Sequence, residues 1–369
     1  MSELNYEDAM DAKAAQTMKE TDRKCPQCGA VMDFDPETGG LYCPYCEYRE
    51  EINVSNDAGE TSAAELDFAS AEYTGNCDWG MQQKTVTCKS CGAVSVYDAL
   101  AVASECPYCG SNQVMEASDL KTLAPGGVVP FKVTAKDAGA RFTAWIKKKL
   151  FAPKQAKESA KAEKFKGIYL PYWTFDSDTY STYTAEYGKD RREKQGDEEV
   201  TVTDWYTTSG KYSEFIDDAL VAATGTQNVQ MLKQIEPFDT ADNKAYKPEY
   251  LAGFAAERYS KGLKDAWESA KDYIAGRLRS AISNKVINDH NADHVRNVKV
   301  HTSYSNITYK YLMLPVWMSS FKYKEKIYQF VVNGQTGKVG GDYPISPWRV
   351  AAAVLIAAAI VALLVYFYQ

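Results

Sequence analysis

Residues 25–46 read CPQCGAVMDFDPETGGLYCPYC, and residues 88–109 read CKSCGAVSVYDALAVASECPYC. In each stretch, two CxxC pairs are separated by 14 residues, and every cysteine of the second stretch lies 63 residues after its counterpart in the first. The equal spacings and the shared CGAV and CPYC sequences indicate an internal duplication.

Eight of the nine cysteines are therefore predicted metal ligands: Cys25, Cys28, Cys43, Cys46, Cys88, Cys91, Cys106 and Cys109. Each CxxC turn presents two sulfurs to one ion, and two such turns make the closed four-sulfur site typical of structural zinc. Gly29, Gly92 and Gly110 follow CxxC pairs and supply the backbone freedom that such turns use. We expect two Zn²⁺ ribbons, with iron in rubredoxin-like sites as the alternative. Cys77 has no partner at CxxC distance and no assigned role.

Residues 350–369 read VAAAVLIAAAIVALLVYFYQ and contain no charge, glycine or proline. As a helix, residues 350–368 would span roughly 28 Å, close to the hydrocarbon thickness of a bilayer. Trp348 lies before this segment, and the aromatic residues 366–368 end it, as expected of interfacial anchors. We predict one transmembrane helix that contacts membrane lipid through residues 350–368; a buried core helix is the alternative.

The flanking charges predict the orientation of this helix. No basic residue follows it, and five precede it: Lys322, Lys324, Lys326, Lys338 and Arg349. By the positive-inside rule, the chain is a single-pass protein of the cell membrane with its N-terminal bulk in the cytoplasm. The reducing cytoplasm would also leave the thiols free to bind metal. The opening MSELNYEDAM has no apolar run, so no secretory signal is expected.

A mean hydropathy of −0.42 and a net charge of −7 conceal an uneven charge distribution. Residues 1–75 carry 17 acidic and 5 basic side chains, whereas residues 132–166 carry 11 basic and 3 acidic ones. The basic segment is interpreted as a solvated linker, a surface for anionic lipid, a nucleic-acid contact, or a partner of the acidic N-terminal arm.

The region between the ribbons and the apolar tail alternates helical and strand patterns. Thr134 and Asp137 predict a helix start, and Pro153 a helix end. The apolar stripe of this helix is predicted to contain Ala138, Phe142, Trp145 and Leu150. A second stripe contains Tyr259, Leu263, Trp267, Ala270, Ile274 and Leu278.

Tyrosine-rich segments predict antiparallel strands, and NGQTG at 333–337 predicts a hairpin turn. LPYW at 170–173 and LPVW at 314–317 resemble each other and are expected to begin similar strands of two related halves. The predicted fold class is α+β. Its domains are an acidic segment (1–23), zinc ribbon 1 (24–48), an acidic linker (49–83), zinc ribbon 2 (84–115), the α+β domain (116–346) and the transmembrane anchor (347–369).

Catalytic signatures are missing from the sequence. It contains no phosphate-binding GxxxxGK[ST] loop, GxSxG elbow, GxGxxG fingerprint or kinase motif. His290, His294 and His301 lack an HExxH context, and the NDHNADH segment that contains the first two is interpreted as a solvated helix end. No catalytic residue and no organic cofactor are predicted, and the protein is expected not to be an enzyme.

Several distinctive sequences occur together in this chain: the paired CxxCGA and CPYC knuckles, YLPYWTFD, FIDDALVAA, YLAGFAAERY, LPVW with NGQTGKVGGDYP, and the apolar tail. In combination they resemble bacterial TFIIB-type zinc-ribbon membrane proteins. Some of these carry a primosomal helicase-like label, and some are encoded beside phage-shock-type membrane-stress proteins. The resemblance implies a membrane-anchored cytoplasmic scaffold that recruits a phage-shock-type coiled-coil effector or other membrane proteins. The helicase label is not supported, because the ATPase motifs are missing.

Three functions of different classes follow. The first is a non-enzymatic membrane adaptor, with self-association into a homo-oligomer left open. The second is a membrane-tethered nucleic-acid-binding protein, which is disfavoured because ribbon 1 lies within the acidic arm. The third is an iron electron-transfer protein.

Overall fold

The fold is described from a computed structural model that covers residues 24–52, 61–71, 83–88, 94–98, 114–117, 123–155, 165–195, 198–225, 228–323 and 326–368. Over these residues the chain is a mixed α+β protein with a cysteine cluster near its N-terminus and one apolar helix at its C-terminal end. The predictions for residues 1–23 and for Cys77, Cys91, Cys106 and Cys109 fall outside these ranges.

The described helices are α1 (Ala135–Lys147), α2 (Val229–Ile235), α3 (Leu263–His290) and α4 (Pro347–Tyr368). The described strands are β1 (Asp33–Asp35), β2 (Gly40–Tyr42), β3 (Arg49–Glu50), β4 (Leu66–Asp67), β5 (Gln83–Cys88), β6 (Val94–Asp98), β7 (Val114–Ala117), β8 (Gly127–Val128), β9 (Lys166–Gln195), β10 (Glu198–Ala222), β11 (Lys244–Ala245), β12 (Ala255–Ala256), β13 (His294–Tyr323), β14 (Lys326–Asn333) and β15 (Val339–Gly341).

Strands β1, β2 and β3 form a small antiparallel sheet, and the twelve other described strands belong to one mixed sheet. Its main path runs β11-β8-β13-β9-β12-β6-β5-β7. Beside this path, β10 pairs with β9, β4 and β14 pair with β13, and β15 pairs with β14. The predicted antiparallel pairing holds for the long strands, whereas β8 and β12 join β13 and β9 in parallel.

Strand β9 has two environments along its length. Every residue from 168 to 177 is buried, because hydrophobic clusters cover both faces of the sheet there. From 178 to 185, exposed and buried residues alternate, so only one face is covered. Helix α3 supplies that cover: Ile282 and Val286 share a buried cluster with Tyr183 and Ala185 of β9.

Helices α1 and α3 are attached to the sheet by equivalent hydrogen bonds. The indole Nε1 of Trp173 donates to the carbonyl oxygen of Lys261 at 2.9 Å. The indole Nε1 of Trp317 donates to the carbonyl oxygen of Val133 at 2.7 Å. Each acceptor lies one residue before the N-cap of a helix, α3 and α1 respectively. The LPYW and LPVW tryptophans therefore have the same structural role.

The prolines of these two sequences also make equivalent contacts. The carbonyl of Pro171 accepts from the N–H of Ala223 at 2.9 Å, and that of Pro315 accepts from the N–H of Gly334 at 2.8 Å. LPYW and LPVW pair with each other across β9 and β13, with Leu170 opposite Leu314. The expectation that both begin strands is wrong for LPVW, which lies in the last third of β13.

Helix α1 begins as predicted but ends early. The Thr134 hydroxyl accepts from the N–H of Asp137 at 3.1 Å, which confirms the predicted cap. The helix ends at Lys147, so Leu150 lies beyond it and is 77% exposed instead of extending its apolar face. The helical period fails here because the Ala152 N–H donates to the Lys149 carbonyl at 3.1 Å and closes a tight turn.

Helix α3 buries most of the predicted second stripe. Its buried residues are Ala266, Trp267, Ala270, Ile274, Leu278, Ile282 and Val286. Tyr259 lies before the helix and packs on Trp173 instead, with ring centroids 5.3 Å apart. The NGQTG hairpin is confirmed between β14 and β15, where the side-chain oxygen of Asn333 accepts from the N–H groups of Gln335 and Thr336, each at 2.9 Å.

The acidic region between the two cysteine motifs is partly packed on the sheet. Strand β4 pairs with residues 308–309 of β13. Phe68 lies against Phe175 and Trp267, with ring centroids 6.2 and 5.8 Å away. Residues 61–71 therefore belong to the folded body, although their polar composition predicts a linker.

Candidate metal centre

Two similar turns position the first four cysteines. The carbonyl of Cys25 accepts from the N–H of Gly29 at 2.8 Å, and that of Cys43 accepts from the N–H of Glu47 at 3.0 Å. Gly29 and Glu47 each follow a CxxC pair, and both adopt a left-handed conformation, with φ of 71° and 63°. The predicted use of glycine is confirmed at the first turn, whereas glutamate occupies the same conformation at the second.

These turns bring the four sulfurs together. The Sγ atoms of Cys25 and Cys46 are 3.3 Å apart, and those of Cys28 and Cys43 are 3.5 Å apart. All four lie within 4.8 Å of one another. A tetrahedral ion with metal–sulfur bonds of about 2.3 Å requires sulfur separations of about 3.8 Å. The two measured separations are a few tenths of an ångström shorter than this value, and all four sulfurs lie within 4.8 Å of one another, so the cluster could bind one metal ion after a small adjustment.

Backbone N–H groups favour ionisation of one of these thiols. Burial raises the pKa of Cys43, but hydrogen bonds from the N–H groups of Cys46 and Tyr45 outweigh it and lower the pKa to about 7. For Cys46, the Tyr48 N–H lowers the pKa, but the adjacent Cys25 thiol and burial raise it to about 12. Four thiols this close resist ionising together unless a cation replaces their protons.

The cysteine ribbon, residues 24–50, is packed against the body of the protein. The N–H of Phe34 donates to the carbonyl of Ala252 at 3.1 Å. The Phe34 ring is 4% exposed, and its centroid lies 5.7 Å from that of Tyr250 and 6.4 Å from that of Phe254. The candidate metal ligands Cys25 and Cys43 belong to the same hydrophobic cluster as the body.

Only one ligand of the predicted second ribbon lies in the described chain. Cys88 is buried at the end of β5, which pairs with β6 and β7. Strand β6 in turn pairs with β12 through Val96 and Ala256. This part of the chain therefore extends the main sheet, and the second metal site stays a prediction.

A second cluster of potential ligands is made of acidic side chains and is paired with a lysine ammonium. Glu65, Asp176 and Asp218 have carboxylate oxygens within 4.8 Å of one another. The Nζ of Lys310 lies 2.5 Å from Glu65 and 2.8 Å from Asp218. Burial and the neighbouring carboxylates raise the pKa of Asp176 to about 6. We interpret this cluster as an internal ion pair that ties residues 61–71 to the body. Glu65 and Lys310 are too far apart in the chain for any local pattern to predict it.

The histidines lie where α3 ends and β13 begins. His290 stacks on Tyr187 with centroids 4.1 Å apart, and His294 Nε2 lies 3.0 Å from a carboxylate oxygen of Asp190. His301 is exposed on β13. Among the described residues, none of the three histidines belongs to a group that could hold a metal ion.

A cleft of about 790 Å³ lies between β10, α2 and α3. Its lining includes apolar Leu220 and Phe238, basic Lys233 and Lys261, and acidic Glu236. Such mixed lining suits a small polar molecule and identifies no chemical class of ligand.

The C-terminal helix contrasts with the ribbon. Residues Pro347–Phe367 are long and apolar enough to cross a membrane, with a mean hydropathy of 2.8 and 0% of the most apolar stretch buried. Fold and site together define a class of protein: a four-cysteine ribbon packed on a mixed α+β body that ends in an apolar helix.

The comparison with known proteins assigns the chain to a family. It is 30% identical over 329 residues to the uncharacterized protein YdjG of Bacillus subtilis strain 168, covering 89% of this chain and 92% of that protein. The chain belongs to the same family as YdjG. No protein-family model matches it, and no solved structure matches it.

Proposed function

We propose that the protein is a non-enzymatic scaffold, anchored in the cell membrane by α4, that uses a zinc ribbon to recruit protein partners at the cytoplasmic face. One observation carries this proposal: an apolar helix with no buried residues follows directly from a body into which a four-cysteine site is packed. The anchor would hold the body at lipid, and the metal would hold the ribbon in a fixed shape.

Zinc is the proposed ion because the four ligands are all cysteines and leave no open coordination position for substrate. When bound, the ion would supply folding free energy to the small ribbon. Cys25 and Cys28 would bind it from one turn, and Cys43 and Cys46 from the other. Iron is the alternative ion for the same ligands.

The proposed orientation rests on the charges beside α4. Lys338 precedes the helix, and Arg349 lies in its first turn. The positive-inside rule then places the body in the cytoplasm, where thiols stay reduced. The leading partner is a phage-shock-type coiled-coil effector, as the resemblance in sequence implies.

Tyr45 is the residue of the ribbon best placed to contact a partner. It lies between Cys43 and Cys46 and is 80% exposed, whereas Phe34 of the same ribbon is buried against the body. Exposed tyrosines are frequent hot spots of protein interfaces. The ribbon would therefore use one side for the body and the other for a partner.

The test is affinity purification of the full chain from detergent-solubilised membranes, with partners identified by mass spectrometry. We expect Tyr45→Ala to keep the metal and lose the partners, and Cys43→Ser to lose both. Tyr273→Ala is the matched control, because this tyrosine is 56% exposed on α3, away from the ribbon sequence. Equal partner recovery by all variants would contradict the recruiting role of the ribbon. Iron in the purified chain would replace zinc in the account.

A further inference from the structure

A basic turn is bonded to the first residues of α4. The N–H of Ser346 donates to the carbonyl of Phe151 at 2.8 Å. The Nη1 atom of Arg349 donates to the carbonyls of Leu150 at 3.0 Å and Ala152 at 2.9 Å. The turn that follows α1 therefore lies at the same level as the start of the apolar helix.

This turn is firmly held, although its tip is exposed. The Ala152 N–H donates to the Lys149 carbonyl at 3.1 Å, and the Ala152 side chain is fully buried. These contacts present Leu150, which is 77% exposed, at the tip. Single exposed leucines are common. Here, however, Ile345 and Trp348 are also exposed, at 59% and 86%, and each directly precedes a residue that binds the turn.

The charge around this exposed apolar group is strongly positive. Residues 147–154 read KKKLFAPK, with four lysines and no acidic residue. Lys148 is exposed, and the Lys149 ammonium lies 4.5 Å from the centroid of the Trp145 ring and 5.3 Å from that of Tyr343. Asp342 is an exposed acidic residue near the start of α4 in the sequence. Apolar tips flanked by lysines are typical of surfaces that rest in the headgroup layer of a bilayer.

We propose that residues 148–150, held against the first turn of α4, form a docking surface for anionic phospholipid headgroups. This inference rests on the proposed crossing of the membrane by α4. Leu150 would enter the boundary between headgroups and acyl chains, while Lys148 and Lys149 contact lipid phosphates. Because α4 keeps the turn at the bilayer, docking requires only a small reorientation of the body. The surface would fix the angle at which the body stands on the membrane.

The test uses the full chain reconstituted in lipid vesicles, with photoreactive benzoylphenylalanine in place of Leu150. One set of vesicles contains phosphatidylcholine alone, and in the other about a third of the lipid is phosphatidylglycerol. The control carries the same probe in place of Phe215, an apolar residue of β10 that is 56% exposed. We expect lipid adducts at position 150 in the anionic vesicles, far fewer in the neutral ones, and none at position 215.

Charge-matched variants sharpen this test. At about 1 kcal/mol per basic residue near an anionic surface, Lys148→Gln with Lys149→Gln should lower the ratio of docked to undocked chains about thirtyfold. Lys189→Gln with Lys194→Gln removes the same charge from the exposed far end of β9 and should have no effect.

An alkaline carbonate wash distinguishes failure of the membrane anchor from failure of the docking surface alone. Release of the chain from the vesicles would overturn the anchor and the docking surface with it. Retention of the chain with no lipid adducts at position 150, or with equal yields in both vesicles, would overturn the docking surface alone. Adducts of position 150 with added duplex DNA in preference to lipid would also overturn it.

Discussion

The cysteine ribbon and helix α4 use their apolar side chains in opposite ways. The ribbon buries Met32, Phe34 and Leu41 in the hydrophobic cluster of the body, with exposures of 0%, 4% and 3%. Helix α4 is far more apolar, yet the stretch that defines its span is 0% buried. The ribbon is therefore completed by protein contacts and has a four-cysteine cluster that could bind a metal ion. The helix requires an apolar environment that the described chain does not provide.

Removal of the metal should have the largest effect, and it should affect the ribbon alone. Structural zinc contributes about 10–16 kcal/mol to the folding of small metal-binding peptides. We expect a strong chelator to abolish amide protection over residues 24–50 and leave that of β9 and α3 unchanged. Hydrogen–deuterium exchange measures both regions in one sample. Full protection of the ribbon after verified loss of metal would show that packing on the body alone holds it.

Two arginines in α4 should have the next largest effect. Ala357→Arg with Ile360→Arg should disfavour insertion by about 5–7 kcal/mol, since each arginine near a helix centre costs about 2.5–3.5 kcal/mol. The chain should then appear in the carbonate-soluble fraction, while the melting temperature of the body stays unchanged. Ala357→Leu with Ile360→Leu is the control and should stay in the membrane. A lower melting temperature for the arginine variant would mean that α4 packs on the body.

Phe34→Ala should detach the ribbon without removing its metal. Truncation of a buried phenylalanine costs about 3–5 kcal/mol, and here the contacts with Tyr250 and Phe254 are lost. We expect unchanged metal content together with faster proteolysis between the ribbon and the body. Tyr45→Ala is the control, because this side chain is 80% exposed. Equal proteolysis of the two variants would contradict the importance of the Phe34 contact.

The smallest effect should come from the two left-handed positions after the CxxC pairs. Glu47→Gly should stabilise the ribbon by about 1 kcal/mol, because a side chain is strained at positive φ. Gly29→Ala should destabilise it by a similar amount for the same reason, since no atom lies within 4 Å of the added methyl group. Chelator concentration at half-loss of metal measures both changes. Shifts in the same direction would contradict the backbone explanation.

Local patterns predict part of this architecture. The CxxC spacing, the Thr134 cap, the NGQTG turn and the apolar tail each depend on residues close together in the chain, and the structure places them as expected. Zinc itself, the second site and the recruiting function stay predictions.

Local sequence patterns do not predict contacts between residues that are distant in the chain. Phe34 packs on residues more than 200 positions away, and Lys310 meets Glu65 across a similar separation. The polar composition of residues 61–71 does not predict strand β4, because the strand forms by pairing with the distant β13. Leu150 was assigned to a buried helical face because its spacing fits, but a tight turn ends the period first.

The most direct test of the account is protease accessibility of the chain in its membrane. A bacterial strain expressing the chain with an N-terminal epitope is converted to spheroplasts and, separately, to inverted membrane vesicles, and both are treated with trypsin. The account predicts that the epitope survives in spheroplasts and is lost from inverted vesicles, because α4 holds the body on the cytoplasmic face. Loss of the epitope from intact spheroplasts, or recovery of the chain in the soluble fraction, would contradict it.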